Sequence, residues 1–212
     1  MAEGNLATGV VLAGGLSRRM GGGDKGLLDI GGETMLGRVV GRLRPQVDRL
    51  ILNANGDARR FASLGLPVVE DTMVGYAGPL AGILAGMRWS LLHAPDVRHI
   101  VTVSSDVPFL PTDLVIRFAG AIVDCPATIA LAQSQGELHP IIGLWPVVLA
   151  DDLERQLNAG VRKVLQWTDL HDTVSVVFEP VNIGGRMIDP FFNANTPEDV
   201  EIVRAVLGAT SP

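Results

Sequence analysis

An α/β sandwich with a mainly parallel sheet and right-handed crossovers is predicted for this chain by three observations. Strand and helix signals alternate along most of its 212 residues, the signature of successive βαβ units. Hydrophobic residues reach 47% but aromatics only 5%, so the core must be large and mainly aliphatic. A hydrophobic strand also runs straight into a glycine-rich loop, VVLAGGLSRRMGGGDKGLL at residues 10–28. In open α/β sheets, ligands sit at the carboxyl ends of strands. At this length a single domain, residues 1–212, is expected, and no repeat, linker or low-complexity tract divides it.

The elements follow in order. Residues 9–13 read as a buried strand. Residues 34–43 read as a helix, with Leu36, Val39, Val40 and Leu43 on one face. Residues 48–53 form the next strand, 57–64 a short helix and 66–69 a third strand. Leu80, Ile83, Leu84, Met87 and Leu91 have helical spacing within 78–93. Residues 99–104 are strongly strand-like, and 111–123 are helical. Residues 127–132 and 139–144 flank 134–137 and predict a hairpin. Residues 147–157 and 162–167 read as helices, and 173–178 as a strand. A last helix opens at Thr196-Pro197-Glu198-Asp199. Threonine suits the N-cap, proline the first turn, and the acids the positive helix end.

Composition narrows the function. The chain carries 17 basic and 23 acidic residues, a net charge of −6. That argues against nucleic-acid binding, which needs a basic face. Cys125 is the only cysteine, which excludes an internal disulfide and a cysteine-built zinc site. The opening MAEGNLATG lacks the basic-then-apolar pattern of a secretory signal. No run approaches about 18 apolar residues, so no membrane span is expected. A cytoplasmic location is the expectation.

The first loop holds the chemistry. Six glycines fall between Gly14 and Gly26, together with Arg18, Arg19 and Lys25. Glycine lets the backbone turn tightly and bring its N–H groups close to a ligand. With cations beside it, such a loop suits a polyphosphate. It is not a P-loop, because Gly26 rather than Ser or Thr follows Lys25. Gly21, Gly23 and Gly26 match a dinucleotide spacing formally, but Lys25 interrupts it and no long helical pattern follows. That disfavours a Rossmann oxidoreductase.

The signature L-A-G-G-x-S-R-R-M-G-G-x-D-K resembles the opening motif of nucleotidyltransferases that transfer a nucleoside monophosphate and release pyrophosphate. The likeness is closest to the molybdenum cofactor guanylyltransferase family. It continues through LILNAN at 50–55, VVED at 68–71, GPLAGI at 78–83, SSDVPFLP at 104–111 and FFNANTPED at 191–199. The blocks keep the family's order over nearly the whole chain. One departure is Ser105, where the family usually has cysteine before the aspartate.

The resemblance implies a Rossmann-like three-layer α/β/α sandwich of the nucleotide-diphospho-sugar transferase kind. It implies transfer of GMP from GTP to the phosphate of molybdopterin (Mo-molybdopterin), with Mg²⁺ as cofactor. It also allows transient contact with proteins that build or receive the cofactor. A cytidylyltransferase of the same cofactor and a sugar-phosphate nucleotidyltransferase are the alternatives. Gly14 favours the guanine branch, and Asp24 stands where sugar-nucleotide relatives usually have proline. A non-catalytic nucleotide carrier is disfavoured by the presence of both Lys25 and Asp106.

On this resemblance Lys25, Arg19 and Asp106 are the catalytic candidates, with Asp106 as metal ligand. Leu12, Ala13, Gly14 and Gly15 would hold the guanine end, and Asn53 and Asp71 would contact the nucleotide. Gly78 and Gly82 either permit close ligand approach or serve tight helix packing. Asn193 and Asn195 alternate, so in extended backbone they share a face, and the family places such a pair near metal and substrate. Asn195 either contributes to a metal shell or only shapes the entry to the final helix. His93, His99, His139 and His171 show no metal spacing. His139, before Pro140 in the hairpin, either faces a substrate pocket or is structural.

Overall fold

The computed structural model describes residues 7–14, 25–73 and 78–208, with the side chain of Lys25 outside the description. The first strand, β1 (Ala7–Leu12), is followed by α1 (Met35–Leu43), β2 (Arg49–Asn53) and β3 (Val68–Val69). Next come α2 (Pro79–His93), β4 (His99–Ser104) and α3 (Leu114–Ala121). The hairpin strands β5 (Ile129–Ser134) and β6 (Glu137–Pro146) lead into α4 (Ala150–Asn158), α5 (Val164–Thr168) and β7 (Thr173–Val177). A small ribbon, β8 (Val181–Ile183) and β9 (Arg186–Ile188), precedes α6 (Pro197–Gly208).

Seven strands form one sheet in the order β3-β2-β1-β4-β6-β5-β7. All lie parallel except β6, which is antiparallel to both β4 and β5. The chain fills β1, β2 and β3 in one direction, then returns to lay β4 on the other side of β1. The switch point, where a crevice opens between diverging connections, therefore lies between β1 and β4.

Alternation along the strands builds the layers. Val11, Leu52, Val101 and Val103 face a core shared with Leu36, Val39 and Leu43 of α1 and Leu114 and Phe118 of α3. Val10, Ile51 and Ile100 face the opposite core, with Leu80, Ile83, Leu84 and Met87 of α2 and Leu153 and Leu157 of α4. Both cores are mainly aliphatic. The second adds Trp145 stacked on Trp167, with ring centroids 5.8 Å apart. Trp145 Nε1 donates to the Thr102 hydroxyl at 2.8 Å, so this buried polar group is satisfied. A third cluster packs α6, through Val200, Val203 and Val206, on Ile30, Met35, Phe109 and Ala194.

Several elements differ from expectation at their edges. Thr34 caps α1 through a bond from Gly37 N–H at 3.0 Å. The segment expected at 57–64 is a 3₁₀ turn capped by Asp57 rather than an α-helix. The helix expected at 147–157 begins as a 3₁₀ turn, Val147–Leu149, before α4. The helix at 111–123 shortens to Leu114–Ala121, and ahead of it the Pro111 carbonyl is bound by Gln46. Leu91, expected on the buried face of α2, is exposed in the last turn. In the hairpin, β5 sits two residues later than expected and β6 runs longer at both ends, and the two meet at Gln135-Gly136, both in the left-handed region at φ 49° and 85°. The β8–β9 ribbon was not anticipated. Its turn, Gly184-Gly185, is left-handed at both positions, as a two-residue hairpin turn requires.

Candidate active site

The carboxyl ends of β1, β2 and β4 are level. Leu12 pairs with Asn53 on one side and Ser104 on the other. A cavity of about 140 Å³ opens over this row, lined by Leu12, Gly14, Asn53, Asp71, Gly78, Pro79, Ser104 and Ile141. Five of the residues singled out from sequence thus line one cavity at the switch point.

The sheet's own bonding limits what each offers. Ala13 N–H donates to the Asn53 carbonyl at 2.9 Å, and Ser105 N–H donates to the Leu12 carbonyl at 3.2 Å. The Leu12 carbonyl and the Ala13 N–H are thus both engaged with the neighbouring strands, and Leu12 lines the cavity wall. Gly15, Arg18 and Arg19 fall outside the described residues, as does the side chain of Lys25. The backbone of Lys25 opens a 3₁₀ turn, Lys25–Leu27. A Cβ on the following Gly26 would sit 3.6 Å from Ser105 Cβ. The lysine backbone thus lies beside the turn that carries Asp106. Ser105, the departure from the family pattern, fills that contact.

On the β2–β3 side the polar groups form a closed network. Both amide hydrogens of Asn53 are used, one on the Val69 carbonyl at 3.1 Å and one on Asp71 Oδ1 at 3.0 Å. Asn55 Nδ2 donates to Asp71 Oδ2 at 2.8 Å, and Asn55 Oδ1 accepts from Asp71 N–H at 2.9 Å. Asp71 is thereby fixed with lone pairs left for further donors. Asn55 was not singled out from sequence. Its signal was the same N-x-N alternation seen at Asn193 and Asn195.

Gly78 and Gly82 have different tasks. Gly78 lines the cavity at the start of α2 with φ 68°, a left-handed conformation costly for other residues. Gly82, one turn on, is buried and absent from the cavity wall. A Cβ there would overlap Asn53 Oδ1 and lie 2.8 Å from Leu12 Cδ2. Its glycine serves close packing of α2 over β1 and β2, the second of the two readings open from sequence.

Asp106 sits in the turn after β4, half-buried, and accepts a short hydrogen bond from the Ser104 hydroxyl. Its carbonyl accepts from Ala194 N–H at 3.0 Å. Ala194 is fully buried while Asn193 and Asn195 on either side are exposed. The chain between β9 and α6 thus reaches Asp106 at Ala194, with the two exposed asparagines on either side of that contact. The cap of α6 holds its far end, with Asp199 accepting from Asn195 and Thr196 N–H groups at 2.8 Å.

No group of three or more His, Cys, Asp or Glu side chains suited to a metal occurs among the described residues. A single hard carboxylate beside exposed amide oxygens fits Mg²⁺, which takes one or two carboxylates and completes its shell with phosphates and water. His139 lies on β6, partly buried, with Nε2 2.7 Å from the Ser134 hydroxyl. It is absent from the cavity wall. Burial pushes its pKa below the ordinary value, against the opposing charges of Asp189 and Glu137.

The profile of the MobA-like NTP transferase domain matches residues 9–174. A molybdenum cofactor guanylyltransferase of Rhodopseudomonas palustris (strain BisB5) is 51% identical over 201 residues, covering 94% of this chain and 93% of the relative. In fold, the chain is similar to molybdopterin-guanine dinucleotide biosynthesis protein A of Archaeoglobus fulgidus. That likeness has a TM-score of 0.71 at 21% identity, over 95% of this chain and 98% of the other. It is also similar to a Mycobacterium tuberculosis protein crystallised with manganese, with a TM-score of 0.62 at 22% identity, over 94% and 97% of the two chains. At such identities the two structures speak for the fold. The near-complete match at half identity speaks for more, and the chain belongs to the molybdenum cofactor guanylyltransferase family of nucleotidyltransferases.

Proposed function

We propose that this chain transfers GMP from GTP to the phosphate of molybdopterin, giving molybdopterin guanine dinucleotide and pyrophosphate. The observation that carries this reading is the arrangement along the strand ends. Asp71 is fixed as an acceptor in the cavity wall on the β2–β3 side, and on the β4 side Ser104, which lines the cavity, donates its hydroxyl to Asp106 in the turn behind it.

A phosphate oxygen of molybdopterin attacks the α-phosphorus of GTP. The bond from that phosphorus to the bridging oxygen breaks, and pyrophosphate leaves with the electron pair. The nucleophile is already an anion, so no strong general base is needed. Asp71 accepts hydrogen bonds from guanine nitrogens or ribose hydroxyls. The first turn of α2, entered through Gly78, presents the positive helix end to the nucleotide. Lys25 and Arg19 neutralise charge on the departing phosphates, as positioning and electrostatics dominate transfer at phosphorus. Asp106 would hold Mg²⁺, and Asn195, with Asn193 beside it, would offer amide oxygen to the ion or the acceptor. When bound, the ion supplies Lewis-acid stabilisation of the phosphate charge.

The reading is tested by incubating the protein with Mg²⁺, molybdopterin and each NTP in turn, and measuring pyrophosphate. Release should require the acceptor and should favour GTP over CTP and ATP by at least about tenfold, or about 1.4 kcal/mol. Equal turnover with CTP would move the chain to the cytidylyl branch.

A further inference from the structure

The segment from Asp189 to Thr196 carries Asn193 and Asn195 across the carboxyl edge of the sheet without belonging to a strand or helix. Regular backbone bonding therefore cannot set its path, and tertiary bonds must. The Asp199 cap fixes its end and the Ala194–Asp106 bond its middle. Its beginning is held by Asp189. Oδ1 of Asp189 accepts from Phe191 N–H at 2.8 Å and from the Ser134 hydroxyl at 2.8 Å. Oδ2 accepts from Gln135 Nε2 at 3.0 Å.

Ser134 ends β5 and is fully buried. Its single hydroxyl proton goes to Asp189, so it must accept from His139, which places the imidazole proton on Nε2. The His139 ring lies 4.7 Å from that of Phe191, and Phe178 meets the same phenyl edge-on at 5.2 Å. Phe191 is thus clamped through both its backbone and its ring, two residues before Asn193.

The arrangement is not a nucleophilic triad. There the histidine stands between serine and carboxylate, whereas here the serine stands between histidine and carboxylate. A buried hydroxyl, a carboxylate and an imidazole instead join the β5–β6 hairpin to the segment that reaches Asp106.

We propose that Asp189, acting through Ser134 and Phe191 and backed by His139, is a positioning residue that sets Asn193 and Asn195 against Asp106 for the transfer step. It lies on the β5–β6 side of the sheet, whereas Asn53, Asn55 and Asp71 belong to the β2–β3 side. Disturbing it should therefore slow transfer and leave GTP binding in place.

The inference rests on the guanylyl-transfer reading. Wild-type pyrophosphate release tests that reading, and the ratio of variant to wild type tests this one. In folded Asp189→Ala, kcat should fall by about 10–100-fold, the scale of a displacement of about 1 Å, with KM for GTP within about twofold. Asp189→Asn keeps an acceptor for Phe191 N–H and Ser134, and should restore most of the rate with an unchanged Mg²⁺ dependence. Ser134→Ala removes one hydroxyl and carries the test should Asp189→Ala fail to fold. It should lower kcat by several fold, again without raising KM for GTP. The proposal is overturned by a kcat within about threefold of wild type in Asp189→Ala, or in Ser134→Ala where that variant replaces it. It is also overturned if KM for GTP alone changes. A loss in Asp189→Asn as deep as in Asp189→Ala, with a raised Mg²⁺ requirement, would make Asp189 a charge at the metal and overturn it too.

Discussion

Both amide hydrogens of Asn53 are held inside the protein, by the Val69 carbonyl and the Asp71 carboxylate. The resemblance implies a nucleotide contact for Asn53; in the structure it lines the cavity and also supports Asp71. Gly82 protects this support. Alanine there would gain up to about 1 kcal/mol of helix propensity. Its Cβ would overlap Asn53 Oδ1, and overpacking costs about 1–3 kcal/mol. The clash should win, because Asn53 is pinned by two bonds and cannot step aside. Gly82→Ala is expected to lower the melting temperature and weaken GTP binding together, as read by thermal unfolding and nucleotide titration. Asp106 differs in kind, because its side chain meets Ser104 rather than filling core volume. Asp106→Ala should keep the fold and lose most transfer activity, with at best partial rescue by excess Mg²⁺. Near-normal pyrophosphate release by the folded variant would remove Asp106 from the metal role.

Helix α1 and the 3₁₀ turn that follows it, Arg44–Gln46, hold the turn after Asp106 by side chains four residues apart. Arg38 Nε donates to the Pro108 carbonyl at 3.0 Å, Arg42 Nε to that of Leu110, and Gln46 Nε2 to that of Pro111 at 2.8 Å. Gln46 Oε1 accepts from Val115 N–H at 3.1 Å, so one buried amide ties the 3₁₀ turn after α1 to both Pro111 and α3. Gln46→Leu leaves buried backbone groups without partners, a cost of about 1–3 kcal/mol each. Equilibrium unfolding should show a loss on that scale. The strands give a pH dependence. Burial pushes His99, at the start of β4, below the ordinary 6.5, with Arg98 adding to it and the Pro126 carbonyl opposing it. His139 on β6 is lowered by burial as well. The unfolded chain then binds protons that the folded one refuses, so this stability is full above pH 6.5 and is lost as pH falls below it. The melting temperature should fall as pH drops from about 7 towards 5, and His99→Gln should flatten part of that slope.

At the scale of the molecule, the alternation of strands and helices was legible because each amphipathic run faces one of two cores. Val10 and Val11, adjacent in sequence, separate them. The strand at 99–104 was legible to its ends. The β8–β9 ribbon was not, since three-residue strands leave no periodicity, although Gly184-Gly185 marked the turn. Of the residues singled out on the resemblance, Asp71 and Gly78 line the cavity, and Asp106 lies in the turn after β4. The partners that fix them were not legible, because Asn55, Ser134 and Asp189 lie on elements that meet only in three dimensions. Gly82 shows the limit most clearly, since only the packed structure separates a cavity-lining glycine from a buried one.

What the whole arrangement is for is tested most directly by following the phosphates of GTP. With Mg²⁺ and molybdopterin, a label in the α-phosphate should move into a guanine dinucleotide of molybdopterin. A label in the γ-phosphate should appear only in pyrophosphate, in equal amount. Release of inorganic phosphate from the γ-position, or an α-label left in free GMP with molybdopterin present, would contradict guanylyl transfer at this site.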